Sequence, residues 1–290
     1  MKVKRIVSSF LILLFIGSDL QGQNDVRTKN FHTTFKKIDS FPDKKNLWVF
    51  VMAGQSNMAG RGIIQAGDTL SNPRIIAMNT NGQWIEAKAP LHNYQPQVTG
   101  LDMGMSFAKE LLKNVDKNVT IALVPLAMGG SSIDYWLNDK EFNGIKLSSN
   151  FKSKIRLALE KGTLKGILWH QGESDAFLEK IPNYEDNLET LFQFFRQYSQ
   201  QEDLPIISGE LGAFSCDSER KILWQMINEK IERVALKDPN LILVRTDDLK
   251  AKSDNIHFNA PSQRVLGIRY AKAYQHLISQ NKKNGFLIPE

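Results

Sequence analysis

Short continuous apolar runs alternate along the chain with longer stretches in which apolar residues recur every three or four positions. The runs show no polar alternation, which is typical of parallel strands that are covered on both faces. The longer stretches have the period of amphipathic helices. Strands and helices in alternation predict an α/β fold with helices on both faces of a mainly parallel sheet. The five predicted strands lie within 47–53, 120–127, 166–170, 205–211 and 241–246, and the helices within 105–114, 151–162, 184–201, 219–238 and 261–280.

One stretch departs from this order. Residues 74–87 contain two apolar runs separated by an Asn-Gly pair at 81–82, which is typical of tight turns, so we expect a β-hairpin there. The chain has 290 residues, which is enough for one large domain with a proper core. We place that domain at 46–282, after a polar lead-in segment at 24–45 and before a tail at 283–290.

The N-terminal residues have the layout of a secretory signal peptide. Three basic residues among the first five positions precede an apolar run at 6–16, and small and polar residues follow. The apolar run is too short to span a bilayer comfortably. We therefore expect a signal peptide at 1–23, a secreted or periplasmic protein, and no stable membrane insertion after cleavage.

Composition narrows the function classes. The formal net charge is +6, but the lysines and arginines are scattered along the chain, which argues against a nucleic-acid-binding protein. The single cysteine, Cys216, excludes an intramolecular disulfide and a cysteine-rich zinc site.

Small and polar residues follow the ends of the predicted strands. Because ligands of parallel α/β sheets bind beyond the carboxyl ends of the strands, we expect these segments to meet at one rim of the sheet. The segments are GQSN at 54–57, MGGS at 128–131, QGE at 171–173, GA at 212–213 and SDNIHFNAPS at 253–262.

Two of these segments carry the groups of a serine nucleophile and its base. Ser56 is either a turn serine that bonds backbone amides or a nucleophile whose own N–H faces a developing oxyanion. Asp254 and His257 are three residues apart, a spacing that lets both side chains share one face of a turn. The aspartate can then fix the imidazole tautomer, which leaves the other ring nitrogen to accept a hydroxyl proton. A capping aspartate beside a surface histidine is the plain alternative.

The segments after the second and third strands offer further groups. Gly129 either forms part of an ordinary turn or supplies a bare backbone N–H that a substrate carbonyl can approach closely. The uncharged amide of Gln171 suits a tetrahedral oxyanion as a donor. Glu173 can position a loop, orient His170, or replace the aspartate of Asp-x-x-His as the acid partner. Because no second histidine stands near His170 at the spacing of zinc ligands, we expect no metal site.

As a set, these motifs resemble those of the SGNH hydrolase superfamily. More narrowly, they resemble its sialate O-acetylesterase and acetylxylan esterase branch, which is carbohydrate esterase family six. The resemblance extends from about residue 46 to 280, and Ser131 stands where the branch usually has threonine. The four matching blocks are GQSNM at 54–58, GGSSIDYW at 129–136, HQGESD at 170–175 and DNIHF at 254–258.

The resemblance implies a fold, an activity and a set of residue roles. The implied fold is a three-layer αβα, flavodoxin-like sheet with about five mainly parallel strands. The implied activity is that of a metal-free serine esterase that needs no cofactor. The implied roles are Ser56 as nucleophile, His257 as general base, Asp254 as its orienting acid, the backbone N–H groups of Ser56 and Gly129 with the Gln171 side chain as the oxyanion hole, and Glu173, Asn57 and Gly130 as supporting residues.

The expected function is the removal of O-acetyl groups from acetylated oligo- or polysaccharides, either xylan and other hemicelluloses or sialic acid. Two alternatives stay open. A non-catalytic carbohydrate-binding protein would use Tyr135, Trp136 and Tyr94 as stacking platforms. A lipase or thioesterase on the same fold would need a wide apolar acyl pocket, whereas residues beside the motifs, such as Arg61, are polar.

Overall fold

The computed structural model describes residues 28–31, 34–214 and 217–283. It confirms the predicted α/β fold: a central, mostly parallel sheet lies between two layers of helices. The predicted signal peptide, Cys216 and all but the first residue of the predicted tail lie outside the described residues. Among the described helices, none combines the length and the apolar character needed to cross a membrane.

The strands are numbered in chain order. They are β1 Leu47–Gly54, β2 Ile75–Met78, β3 Trp84–Glu86, β4 Thr120–Pro125, β5 Glu141–Phe142, β6 Ile145–Lys146, β7 Thr163–His170, β8 Ile206–Gly209 and β9 Leu241–Val244. The helices are α1 Ser56–Ala59, α2 Gly104–Leu111, α3 Ile133–Leu137, α4 Leu147–Lys161, α5 Ile181–Ser199, α6 Ser218–Lys237 and α7 Ala260–Lys283. Short 3-10 helices lie at Lys44–Asn46, Ala66–Thr69, Leu112–Asn114 and Glu173–Asp175.

The central sheet has seven strands in the order β3-β2-β4-β1-β7-β8-β9. All neighbours are parallel except β3, which runs antiparallel to β2. The count exceeds the expected five because the predicted hairpin joins the sheet through the pairing of β2 with β4. The hairpin turns where expected, at Gly82, whose φ of 81° favours glycine. Within the lead-in segment, Ile38 donates its N–H to the carbonyl of Trp84 in β3.

The continuous apolar run of β1 reflects burial on both faces. Val49 and Val51 belong to a core that β1 shares with α4, α5 and α6. Phe50 and Met52 belong to a second core, which β1 shares with α2 and α7 on the opposite face. All four side chains have no exposed surface, and burying such a side chain contributes about 1.5–3 kcal/mol to folding. Strand β1 is thus the centre of three layers, and its carboxyl end is held from both sides.

Helix α7 packs closely on α2, and this contact fixes the end of the segment that carries His257. A Cβ built on Gly267 would lie 2.3 Å from the carbonyl oxygen of Met103, so only glycine permits this approach. The buried positions of α7 recur at helical spacing, as the sequence predicts: Leu266, Tyr270, Tyr274 and Leu277.

Candidate active site

The carboxyl ends of β1 and β7 lie level at the same rim. Gly54 pairs with His170 in the ladder, and a Cβ on Gly54 would lie 2.1 Å from the His170 carbonyl oxygen. Its φ of 131° also favours glycine. The following N–H, that of Gln55, donates to the same carbonyl at 2.9 Å. The tight strand end therefore delivers Ser56 to the first position of α1, where backbone N–H groups have no partner within the helix.

The structure brings Ser56, His257 and Asp254 together as the sequence predicts. The Ser56 Oγ lies 3.0 Å from Nε2 of His257. The other ring nitrogen, Nδ1, lies 2.9 Å from Oδ2 of Asp254. These distances are those of a hydroxyl, an imidazole and a carboxylate in one hydrogen-bonded chain.

Asp254 shapes the turn that presents His257. Its Oδ1 accepts the backbone N–H groups of Ile256 and His257, both at 3.0 Å, while its Oδ2 bonds the imidazole. Asn255, the residue after Asp254, has a φ of 54°, a left-handed conformation that asparagine tolerates. Asp254 thus caps the turn through its Oδ1 and also bonds the imidazole of His257 through its Oδ2.

The electrostatics favour a neutral imidazole that can accept a proton. Partial burial raises the pKa of Asp254, but the hydrogen bonds from the His257 ring and from backbone N–H groups outweigh it and hold that pKa well below its ordinary value. Burial lowers the pKa of His257, and Arg61 lowers it further, against the opposite effect of Asp254. Because the ionised Asp254 accepts from Nδ1–H, the lone pair of Nε2 faces Ser56.

The N–H of Gly129 lies on the other side of the site and already has a partner. It donates to Oε1 of Gln95 at 2.9 Å, and Nε2 of Gln95 donates back to the Gly129 carbonyl at 3.1 Å. Arg61 also donates to Oε1 of Gln95, at 3.1 Å. Gly130 adopts a φ of 84°, which makes the turn after β4. An acyl oxygen that uses the Gly129 N–H therefore has to displace the Gln95 side chain.

Gln171 is placed differently from the expectation. Its side chain has no exposed surface, and its Nε2 donates to Oδ2 of Asp175 at 2.6 Å. The same nitrogen lies 3.2 Å from Oε1 of Gln55 and 3.3 Å from the carbonyl of Ser131. An amide nitrogen carries only two hydrogens, so these acceptors occupy both. The contacts make Gln171 a buried link between the segments after β4 and β7 and do not favour its expected donation to an oxyanion.

Glu173 accepts a hydrogen bond from Asn57 and does not contact the imidazole of His257. Its Oε1 accepts from Nδ2 of Asn57 at 2.5 Å and lies 4.0 Å from Nε2 of His170. The acid position beside His257 is held by Asp254. Of the roles that the sequence left open for Glu173, these contacts favour the positioning of a loop.

The three candidate stacking residues do not form an aromatic platform. Trp136 has no exposed surface and packs edge to face against Trp169, with ring centroids 5.5 Å apart. Tyr135 packs against Phe142 at 4.5 Å, and the hydroxyl of Tyr94 accepts from Asn150. The carbohydrate-binding alternative would use Trp136 for stacking, but this tryptophan belongs to the core between α4 and α5.

Sequence reasoning missed Gln95 and gave Arg61 no role in the site. Gln95 lies in an irregular segment without periodicity, and only its contact with Gly129 reveals it. Arg61 follows the nucleophile motif closely, which is the signal that could have found it. Arg264 of α7 forms an ion pair with Asp68. In the part of the chain that the structure describes, no group of three or more metal-ligating side chains comes together.

Comparisons with known proteins show the family to which the chain belongs. A family model described as a carbohydrate esterase, sialic acid-specific acetylesterase matches residues 46–276. A probable carbohydrate esterase of Arabidopsis thaliana is 28% identical over 250 residues, which cover 78% of this chain and 89% of that protein. An X-ray structure of an Arabidopsis thaliana protein, also 28% identical, superposes with a TM-score of 0.69 over 80% of this chain and 98% of that one.

A carbohydrate acetylesterase from Xanthomonas citri has the same fold. Its TM-score is 0.60 at 19% identity, over 81% of this chain and 56% of that one. The resemblance predicted from the four sequence blocks is confirmed by the family match. The chain therefore belongs to the sialic acid-specific acetylesterase family of carbohydrate esterases, and it is a carbohydrate O-acetylesterase.

Proposed function

We propose that the chain removes O-acetyl groups from acetylated oligo- or polysaccharides through an acetyl-serine intermediate. The observation that supports this mechanism is the continuous hydrogen bonding from Ser56 Oγ through the His257 ring to Asp254. The substrates in view are acetylated xylan and other hemicelluloses, or acetylated sialic acid. The signal-peptide pattern at 1–23 supports an enzyme that acts in the periplasm or outside the cell.

In the first step, Nε2 of His257 takes the proton of Ser56 as Oγ attacks the acetyl carbonyl carbon. The carbonyl π electrons move to the oxygen, which becomes the oxyanion of a tetrahedral intermediate. The N–H groups of Ser56 and Gly129 are the donors we assign to this oxyanion, and the latter becomes available once Gln95 turns away. A donor of this kind contributes about 2.7–4 kcal/mol to transition-state stabilisation.

In the second step, the intermediate collapses and the bond to the sugar oxygen breaks. Nε2–H of His257 protonates the departing sugar oxygen, which leaves as a hydroxyl, and Ser56 is left as an acetyl ester. Water then attacks that ester while His257 takes one of its protons. The second tetrahedral intermediate collapses, the proton returns from His257 to Ser56 Oγ, and acetic acid leaves and ionises to acetate. Asp254 stabilises the imidazolium in both halves of the reaction.

The test is acetate release from a panel of acetylated glycans, with p-nitrophenyl acetate as a simple ester. We expect the native enzyme to deacetylate at least one glycan and the Ser56→Ala variant to lose turnover while its circular dichroism spectrum is unchanged. Comparison with p-nitrophenyl octanoate separates this function from a lipase or thioesterase. A Ser56→Ala variant with native activity would contradict the mechanism, and preference for the octanoyl ester would contradict the substrate class.

A further inference from the structure

Asn57, the residue after the nucleophile, forms hydrogen bonds with the backbone on both sides of the general base. Its Oδ1 accepts the N–H of Phe258 at 3.0 Å, and its Nδ2 lies 3.2 Å from the carbonyl of Ile256. These two residues flank His257, and Asn57 itself has no exposed surface. The buried side-chain amide of Asn57 therefore links the segment that carries Ser56 to the segment that carries His257.

Glu173 completes the hydrogen bonding of that amide. Its Oε1 accepts from Nδ2 of Asn57 at 2.5 Å, so the oxygen and both hydrogens of the Asn57 amide are used. The Glu173 side chain is only 6% exposed, and no hydrogen-bond partner satisfies its Oε2 among the described residues. A buried carboxyl in this position costs stability if it is charged, so its protonation state matters.

The surroundings of Glu173 favour its neutral form. Tyr270 donates its hydroxyl hydrogen to the Trp169 carbonyl at 2.7 Å, so toward Nδ1 of His170, 3.3 Å away, the hydroxyl oxygen accepts. Burial lowers the pKa of His170 to about 3, and the neutral ring with hydrogen on Nδ1 presents a lone pair at Nε2. This Nε2 faces Glu173, whose pKa burial raises to about 7. If Glu173 were ionised, its carboxylate and the lone pair of His170 Nε2 would be two acceptors that face each other. A proton on the carboxyl removes this conflict.

We propose that Asn57 and Glu173 form a positioning pair for His257, in which Glu173 fixes the Asn57 amide and Asn57 fixes the base against Ser56. The pair acts through His257 and contacts neither the substrate nor the reacting atoms. This inference rests on the proposed serine-esterase mechanism, and it differs from the alternative in which Glu173 is itself the acid partner of the base. Displacement of a catalytic group by about 1 Å can cost about 100-fold in rate, which is the size of effect expected here.

The test compares kinetic constants on p-nitrophenyl acetate for four variants, with Asp254→Asn as the reference for loss of the acid partner of His257. Asn57→Ala removes the hydrogen bonds to the backbone of Ile256 and Phe258. We expect kcat to fall about 100-fold with little change in KM, because substrate contacts remain. Glu173→Leu removes the acceptor for Asn57, and we expect an intermediate loss of about tenfold. Glu173→Gln keeps a neutral carbonyl acceptor of the same shape and should restore kcat to within about threefold of native. Glu179→Gln, an exposed carboxylate nearby, is the matched control and should be native.

The pH profile distinguishes positioning from a direct acid role. The turn from Asp254 to His257 closes on its own hydrogen bonds, so the acid limb of kcat/KM should stay in place in Asn57→Ala and Glu173→Gln. The other titratable groups that face Glu173 are His170, Asp175, Tyr184 and Tyr270, and all remain in these variants.

Four outcomes would overturn the inference. They are a loss in Glu173→Gln as large as that in Asp254→Asn, a shifted acid limb, a rise of KM without a fall of kcat, and an unchanged kcat in Asn57→Ala. If Asn57→Ala fails to fold, the contrast between Glu173→Leu and Glu173→Gln decides alone. An enzyme that hydrolyses p-nitrophenyl acetate but no glycan would contradict the proposed substrate class and leave this test intact.

Discussion

The base side of Ser56 and its oxyanion side differ in what their groups already contact. On the base side, the His257 ring is bonded to Asp254 and lies within hydrogen-bond distance of Ser56, and Asn57 bonds the backbone next to it. This is the arrangement that proton transfer requires. On the oxyanion side, the Gly129 N–H donates to the half-buried side chain of Gln95, which an acyl oxygen that uses this N–H has to displace. In the proposed mechanism, the site is therefore preassembled for proton transfer, whereas stabilisation of the oxyanion requires the Gln95 side chain to move first. Substitutions on the two sides should therefore act in different directions.

The largest expected effect is on the base side. Asp254→Asn keeps an oxygen for the turn but favours the wrong imidazole tautomer, so kcat should fall by about 10⁴-fold. Steady-state hydrolysis of p-nitrophenyl acetate measures it, and Ser253→Ala, at the exposed neighbouring position, is the control. A loss below tenfold would mean that the imidazole does not depend on this carboxylate.

A smaller effect of opposite sign is expected on the oxyanion side. Gln95→Ala frees the Gly129 N–H from a contact worth about 1 kcal/mol, so kcat/KM for p-nitrophenyl acetate should rise about fivefold. Gln97→Ala, an exposed glutamine two residues away, should leave the value unchanged. A fall in Gln95→Ala would show that the amide assists the reaction and does not compete with the acyl oxygen.

The neutral carboxyl of Glu173 predicts a dependence of stability on pH. The fold raises its pKa from 4.5 to about 7, so its ionised form is disfavoured and native stability declines as pH rises across that window. Glu173→Gln cannot ionise, and the difference between its melting temperature and that of the native protein should grow from pH 4.5 to pH 7. Thermal unfolding followed by circular dichroism measures the difference. A constant difference would contradict a raised pKa at this residue.

The smallest effect links the two sides through Arg61. Activity requires neutral His257 and falls as pH falls through the pKa of that ring, which Arg61 helps to lower. Arg61→Gln should raise this pKa and move the acid limb of kcat/KM to higher pH. Arg61→Lys keeps the charge and should keep the limb in place. A limb that moves equally in both variants would exclude a charge effect.

The sequence predicts the parts of the molecule that are encoded locally. The apolar run of β1 and the spacing of Leu266, Tyr270 and Tyr274 in α7 reflect burial that repeats with the period of the element. The hairpin at Asn81-Gly82 follows from turn chemistry. The Asp254–His257 contact forms within one turn, and the placement of Ser56 at the same rim follows from the topology of parallel sheets.

The rest depends on contacts between distant segments, which periodicity and spacing do not encode. Gln171 was placed at the correct rim, but the direction of its amide is set by the buried Asp175. The contact of Gln95 with Gly129 spans 34 positions and involves a segment without regular structure. Whether Trp136 stacks on a sugar or fills a core depends on the packing of Trp169 and Phe195 against it.

The most direct test of the central claim is mass spectrometry of the enzyme quenched during turnover of p-nitrophenyl acetate. We expect an acetyl group on the peptide that contains Ser56, its absence in Ser56→Ala, and its decay at the rate of acetate release. Continued turnover with acetyl on no residue, or with acetyl on a different residue that persists in Ser56→Ala, would overturn the acetyl-serine mechanism.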